Sequence, residues 1–319
     1  FIKESGHIFK INLNLRGDAY RSKKKWTPNN STRLLPSNPY GIKKDMYRLL
    51  PSVIAEWKFP LKNNHSPTII EPTIQISYSV DKSKNLRMPN EDSIGFELNS
   101  HNIFSRNRMP GLDFWETGSR VNYGVKVSHF FNKTGVFSGL IGQSYKFKNP
   151  DTFEKGSGLE KKLSDFIVDF LFKPNKEITL SYKGRLDDHD INLRRSEFDI
   201  LITYPRWGFR AGHALLNNAE ILNFKEQKEA RFASFFNITD QWLIQAAVRY
   251  DVVSKNSLNN RLSIVYIDDC MSFELGFRRK NSEYRDLKPS NSFMIKFNVF
   301  TFGGGTLDSS DRISKLWEN

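Results

Sequence analysis

Strict alternation of apolar and polar residues recurs along this chain, and no other feature restricts its fold as much. Between His7 and Tyr20, Phe9, Ile11, Leu13 and Leu15 share one parity, while Lys10, Asn12, Asn14 and Arg16 share the other. Ile70, Ile74, Ile76, Tyr78 and Val80 alternate with Glu71, Thr73, Gln75, Ser77 and Ser79. Val121, Tyr123, Val125, Val127 and Phe131 form the next stripe, followed by Phe137, Ile141, Tyr145 and Phe147. Further stripes run over 166–172, 178–182, 198–204, 242–250, 262–266, 273–277 and 293–299. Successive side chains of a strand point to opposite faces, so each stripe reads as a strand with one apolar and one polar face. About 14 such segments recur, many near the ~9–11 residues that cross a bilayer as a tilted strand.

Alternation alone fits both a soluble sandwich and a membrane barrel. Apolar residues make up only 38%, yet aromatics reach 13%, with 26 Phe and 11 Tyr, which excludes wholesale disorder. Mean hydropathy is −0.54, and no stretch approaches the ~18 apolar residues of a spanning helix. A helical membrane protein is therefore excluded. A barrel is not, because its strands average out as hydrophilic. The stripes often end in aromatics, namely Tyr78, Phe131, Tyr145 with Phe147, Tyr204, Trp242 with Tyr250, and Tyr266. Barrels gather aromatics at both membrane interfaces, so this favours the barrel. Turns are expected at 173–176, 256–260 and 280–290. Two long connections stand out, a basic one over 21–48 and another over 81–118 with a short strand at 93–98. Residues 159–163 are the best helical candidate and are too short to form an architectural element. The expected organisation is a barrel portion over 1–302 and a polar tail over 303–319.

Recognisable chemistry is sparse. The six His residues form no helical zinc pair, and no phosphate-cradling loop or nucleophile elbow occurs. One Cys excludes an internal disulfide framework and any Cys-rich zinc module. His129 reads as a strand-end interfacial residue. Asp187, Asp188, His189 and Asp190 resemble a hard-cation site, but Asp is equally at home in hairpin turns, and the turn is the expected reading. No metal or cofactor is expected. The net charge of +13 suits an anionic partner or simply a solvated basic surface. The basic residues form no reading module, so nucleic acid is not the expected partner. The chain opens Phe-Ile-Lys-Glu without Met or an apolar leader, which fits a removed signal or a fragment of a longer protein.

One segment is sharper than the rest: Asn102-Ile103-Phe104-Ser105-Arg106-Asn107-Arg108-Met109-Pro110-Gly111-Leu112-Asp113, then Glu116, Gly118, Arg120, Tyr123 and Gly124. It resembles the signature loop and following strand of the LPS-assembly outer-membrane protein family, LptD. Ile70-Glu71-Pro72 resembles that family's Leu/Ile-Glu-Pro strand opening. The run from Ile141 through Gly142, Gln143 and Tyr145 to Phe147 resembles its Gly-Gln-x-Tyr-x-Phe strand. Cys270 with Gly276, Phe277 and Arg279 resembles its Cys-x5-Gly-aromatic-x-Arg strand, and 293–304 its closing strand. The order agrees over residues 48–305. Two departures occur: Phe114 follows Asp113 where the family usually has Arg, and Asp269 stands beside Cys270 where many members have a second Cys.

The resemblance implies an all-β, antiparallel outer-membrane β-barrel, the C-terminal part of a very large one, with about 14–16 strands in this chain. It implies a translocon component that places lipopolysaccharide in the outer leaflet without enzymatic chemistry. The implied partners are lipopolysaccharide, membrane lipid, a plug lipoprotein of the LptE type, and a periplasmic bridge protein of the LptA type reached through a missing N-terminal domain. Asp113, Glu116 and Arg120, with Tyr123 and Gln143, are the implied loop-motif residues. Either Asp113, Glu116 and Arg120 form an ion network that fixes the loop over the lumen, or they contact substrate; the structural role is favoured. Lys10, Arg16, Lys126, Lys146 and Arg249 are candidate lumen contacts to phosphorylated glycolipid, or simply polar lining. Cys270 is either a free thiol or one half of an inter-domain disulfide. Two other classes remain open: a general diffusion porin, and a barrel enzyme using Ser and His.

Overall fold

In the computed structural model, residues 2–21, 45–62, 65–80, 92, 96–131, 134–148, 153, 155–217, 226–281 and 289–299 are described. They form one antiparallel sheet. Its strands are β1 (Ile8–Arg21), β2 (Asp45–Lys58), β3 (Leu61–Lys62), β4 (Thr68–Ser79), β5 (Gly118–Phe131), β6 (Gly135–Lys146), β7 (Phe166–Lys173) and β8 (Ile178–Leu186). It continues with β9 (Leu193–Thr203), β10 (Trp207–Leu216), β11 (Gln227–Asn237), β12 (Trp242–Asp251), β13 (Asn256–Ile267), β14 (Met271–Lys280) and β15 (Ser290–Val299). Each strand pairs with its sequence neighbour, except that β2 pairs with β4 and the short β3 continues β2 along β4. Two prolines fit this break. Pro72 turns its carbonyl toward Phe59, whose N–H it accepts at 3.2 Å, so its missing N–H faces the gap between β2 and β3. Pro51 stands just beyond Ser52↔Ser79, where the pairing of β2 with β4 ends.

The sheet is inside out by the standard of a soluble protein. Ile11, Leu13 and Leu15 of β1 are 64%, 76% and 69% exposed, while Arg48, Gln75, Ser77, Arg120 and Asn122 are almost fully buried. Register carries the outer apolar face across the sheet, through pairs such as Ile74↔Tyr123, Val125↔Ile141, Ile244↔Ile264 and Leu275↔Ile295. Short turns close one rim, at 174–177, 204–206, 238–241 and 268–270. Aromatics line the outside near that rim: Tyr204 and Trp207 at 5.0 Å, Trp242 and Tyr266 at 5.0 Å, and Phe131 and Phe172 at 5.8 Å between ring centroids. His129 joins them, its Nδ1 2.7 Å from the Thr68 hydroxyl. The long connections all leave from the opposite rim.

Some expectations are corrected. Residues 256–260 are the start of β13, and the turn lies at 252–255. Residues 96–98 are not a strand, and 93–95 lie outside the described residues. Residues 159–163 form no helix: Leu159 is packed in a core and Leu163 bridges Tyr145. The first long connection ends at Asp45, where β2 begins. The tail over 303–319 lies outside the described residues.

An outer face this apolar has to meet lipid. Ile264→Lys, on the outer face of β13, is expected to cost about 2–4 kcal/mol of unfolding free energy in vesicles. Asn298→Lys, on the inner face of β15, is expected to cost far less. Urea titration of the refolded protein reads both, and equal losses would assign the faces wrongly.

Candidate functional site

Ahead of β5, the segment 96–117 folds inward and lies on the inner wall. With residues 153–165 it builds a small core of Leu98, Ile103, Met109, Phe114, Phe153 and Leu159 against Ile167 of β7. The wall is shaped to receive it. Gly124 and Gly142 face each other across β5 and β6. A Cβ on Gly142 would lie 2.9 Å from Ile103 Cδ1, and one on Gly124 would lie 3.2 Å from Phe104 Cζ. The missing side chains are therefore the seat of Ile103 and Phe104.

At the centre of this seat is one carboxylate. Glu116 is fully buried and meets three cations. Arg108 donates from Nε at 2.7 Å and also from its terminal nitrogen. Lys146 Nζ lies 2.9 Å and an Arg120 nitrogen 3.2 Å away. Burial pushes the Glu116 carboxyl upward, but the charges of Arg108, Arg120 and Lys146 more than reverse this and hold it well below the usual carboxylate range. A polar chain ties the cluster to the wall: Arg108 to the Ser144 hydroxyl (3.0 Å), Ser144 to Asn122 (2.7 Å), Asn122 to Gln75 (2.8 Å), and Gln75 to the Phe104 carbonyl (2.9 Å). Arg120 donates to the carbonyls of Ser105 and Arg106 at 2.9 and 2.7 Å. Lys146 also sits 4.1 Å over the Phe153 ring.

A second fastening joins the loop to β1 and β2. Arg48 pairs with Asp18 and donates to the carbonyls of Asp113 and Leu112 at 2.5 and 2.9 Å. Arg16 pairs with Asp18 at 2.8 Å and also reaches the Leu112 carbonyl. Gly111 has φ +71°, and a Cβ there would strike Asp92, whose carboxylate accepts the amides of Leu112 (2.8 Å) and Asp113 (3.0 Å).

The structure thus brings Glu116, Arg120 and Lys146 together and places Asp113 elsewhere, at the tip held by Arg48 and Asp92. Tyr123 and Gln143 pair on the outer face, the hydroxyl 2.5 Å from the amide oxygen, and Gln143 also donates to the Ser164 carbonyl. Arg16 is a loop anchor. Lys10 and Lys126 lie exposed on the inner parity of β1 and β5. Arg249 is paired with Glu229 at 2.6 Å. Cys270 is exposed in the turn 268–270. Arg48, Asp18 and Asp92 were not singled out by sequence reasoning. Arg108 stood in the quoted motif without a role.

The Asp187–Asp190 tip behaves as a turn. Asp187 accepts the amides of His189 (2.9 Å) and Asp190 (3.2 Å) and the Arg194 guanidinium (2.6 Å). Asp165, Asp187 and Asp188 converge within 4.8 Å. Arg194 already holds Asp187, Lys161 lies 2.9 Å from Asp188, and Arg185 lies 3.4 Å from Asp165, which is ion pairing rather than an open cation site. Burial, opposed only in part by Arg185, pushes the Asp165 carboxyl up to about 6.

Comparison with known proteins follows from this geometry. The family model described as "LptD: LPS transport system D" matches residues 1–242. The "LPS-assembly protein LptD" of Haemophilus ducreyi is 22% identical, over 81% of this chain and 37% of its own length, so the chain spans well under half of that relative. Among solved structures, a triple mutant of the Rhodopseudomonas blastica porin aligns over 90% of this chain and 88% of its own, at 7% identity and TM-score 0.33. The Pseudomonas putida toluene transporter TodX aligns over 86% and 72%, at 9% identity and TM-score 0.23.

Two predictions follow from the buried charges. Glu116→Gln leaves three buried cations without their carboxylate and is expected to cost about 3–5 kcal/mol. The loss should show as proteolysis within 96–117 while the sheet stays protected, and an unchanged digest would refute the role. For Asp165, whose folded value is raised, the native state holds a proton that the unfolded chain has released between about pH 4 and 6. Its contribution therefore weakens as pH rises through that window. Asp165→Asn should flatten that part of a stability-against-pH curve, and an unchanged slope would count against it.

Proposed function

We propose a function that proceeds from the chain's kinship: it belongs to the LptD family, LPS transport system D. It is an integral outer-membrane protein, and its sheet is wall of an outer-membrane β-barrel. Within that setting we read it as part of a translocon that places lipopolysaccharide in the outer leaflet, without enzymatic chemistry. The observation that carries this reading is the family match over residues 1–242. The geometry fits it. Acyl chains need the apolar outside, and charged sugars need a polar passage, which the inner parity of the strands provides. The anchored loop roofs the wall of β1–β8 and reaches β9, where its Glu97 pairs with Arg195.

The reading includes partners. Strands β1 and β15 each pair on one side among the described residues. Unpaired strand edges are costly in lipid, so strands outside this chain are proposed to complete the wall. In barrels of this kind short turns face the periplasm. In this orientation we read the exposed Cys270 as facing the periplasm, and propose it as one half of an inter-domain disulfide. The orientation also directs the lumen toward a plug lipoprotein and a bridge protein that delivers lipopolysaccharide.

The test is conditional depletion of the full-length protein, with lipopolysaccharide labelled on intact cells. Surface label is expected to fall while total lipopolysaccharide persists and accumulates inside. Unchanged surface label would sink the reading and make conductance in planar bilayers the next measurement.

A further inference from the structure

Charge is spread unevenly over the short turns of the rim. Turns 174–177 and 204–206 carry Lys176 and Arg206, whereas turns 238–241 and 268–270 carry Asp240, Asp268 and Asp269. Glu177, the one carboxylate in the first two turns, lies 4.0 Å from Lys176. Each stretch sits beside an aromatic pair of the same spacing on the outer face. Tyr204 and Trp207 are 5.0 Å apart between ring centroids, and so are Trp242 and Tyr266. The aromatic setting is repeated along the rim, and the charge beside it is reversed.

The basic stretch also has a groove. Ile178, Ile202, Tyr204, Pro205, Arg206 and Trp207 line a depression of about 530 Å³ on the outer face, within the ~300–1,000 Å³ range of small-ligand sites. Its floor follows from the register, with Ile178 directly opposite Ile202 and Ile202 directly opposite Phe209. Trp207 stacks on Phe209 at 6.1 Å and 8°, and Phe209 on Phe232 at 6.3 Å. A ribbon of rings therefore leads from the rim toward the middle of the bilayer. Arg206 is exposed at the mouth of the groove, and its guanidinium makes no hydrogen bond or ion pair among the described residues. Glu177 and Asp240, the carboxylates of the flanking turns, do not pair with it. Beside Trp242 and Tyr266 the corresponding place holds a carboxylate: Asp268 accepts the amides of Cys270 and Met271, each at 2.8 Å.

We propose that this groove binds one net-anionic phospholipid of the periplasmic leaflet, with its phosphate on Arg206 and an acyl chain along Ile178, Ile202 and Phe209. The proposal rests on the membrane setting of the sheet and on the orientation given above, not on the export reading. A guanidinium offers paired N–H donors to phosphate oxygens. Trp and Tyr settle at the headgroup level of a membrane interface, which sets the phosphate beside Trp207. Lys176, two residues before Ile178, adds a second cation at that level. A headgroup with net negative charge is therefore favoured over a zwitterionic one, whose own ammonium already neutralises its phosphate. Beside Trp242 and Tyr266, Asp268 and Asp269 repel the same headgroup, so the aromatic pair alone does not make the site.

The test uses the full-length protein in phosphatidylcholine vesicles, titrated with one of two brominated probes, phosphatidylglycerol or phosphatidylcholine. Bromine on the acyl chains quenches tryptophan in contact with them. The signal of Trp207 is the difference between the protein with Trp207 and its Trp207→Phe variant, taken in each background. Half-quenching of Trp207 is expected at an at least about fivefold lower mole fraction of brominated phosphatidylglycerol than of brominated phosphatidylcholine. Arg206→Gln should remove that preference, Arg206→Lys should keep part of it, and Lys176→Gln should reduce it. Trp242, read in the same way through Trp242→Phe, should show no preference. Heat-modifiable gel mobility checks that each variant is folded. Equal quenching of Trp207 by both probes would mean ordinary annular lipid only and would overturn the site. So would a preference that survives Arg206→Gln, or an equal preference at Trp242. The export reading is decided separately by the depletion experiment, and either result at Trp207 leaves it as it was.

Discussion

Because the apolar face of the sheet is turned outward, the interior has no second sheet to pack against. Whatever fills it must be held by polar contacts on a polar wall. Buried polar groups cost free energy unless each finds a partner. That requirement explains why the loop between β4 and β5 is fastened by so many hydrogen bonds to main-chain carbonyls. Arg48, Arg16 and Arg120 all donate to carbonyls of the loop, those of Leu112, Asp113, Ser105 and Arg106. These contacts satisfy carbonyl oxygens that regular secondary structure would otherwise serve. The apolar cluster around Ile103 and Leu159 then packs inside a frame that the arginines have set.

The same wall divides into two regimes. Toward β1–β8, Arg16, Arg48, Arg108, Arg120 and Lys146 hold the loop, and Glu116 is surrounded. Toward β11–β15 the cations stand in opposed pairs, Arg231 with Arg249 and Arg261 with Arg278, and the carboxylates are shared between them. In the first, the cations also meet carbonyl dipoles and, at Lys146, the Phe153 ring. In the second, Arg249 and Lys296 stay partly exposed on the inner face. One chemical preference, arginine on the inner parity, thus serves as internal fastening in one half and as an exposed surface in the other.

The strands most legible in the sequence are those whose inner parity is polar, such as β1, β4 and β5. Strands β2, β10 and β11 escape the period-two reading for a physical reason. Their inner parity carries Leu50 and Ile54 in β2 and Ala233 and Phe235 in β11, buried against Leu243 and Val265. In β2 and β11 alternation fades because the lumen side is itself apolar. In β10, Gly208, Gly212 and Ala214 blur the pattern instead. At the loop, the motif residues Glu116 and Arg120 were legible as a charged pair. Lys146 was legible only as a lumen residue, because its meeting with Glu116 depends on the pairing Arg120↔Lys146. Arg48 and Asp18 reach the loop through the β1–β2 register, which no local pattern encodes.

Glu116 and Asp165 show how the number of nearby cations, rather than burial alone, decides the state of a carboxyl in this interior. Both are desolvated, which by itself raises the proton affinity of each. Three cations converge on Glu116, so its charged form wins and its value falls. Asp165 has one close cation, Arg185 at 3.4 Å, with Glu160 and Asp187 opposing, so desolvation wins and its value rises to about 6. The two therefore respond to acid with opposite sign. The Glu116 cluster keeps its stabilising charge above the ordinary carboxylate range and loses it only as pH falls through its depressed value. Asp165 lowers stability in the opposite direction, as pH rises through its raised value and the desolvated carboxyl ionises. Mild acid thus favours the segment at Asp165 while leaving the Glu116 fastening intact, so the loop stays anchored throughout that window.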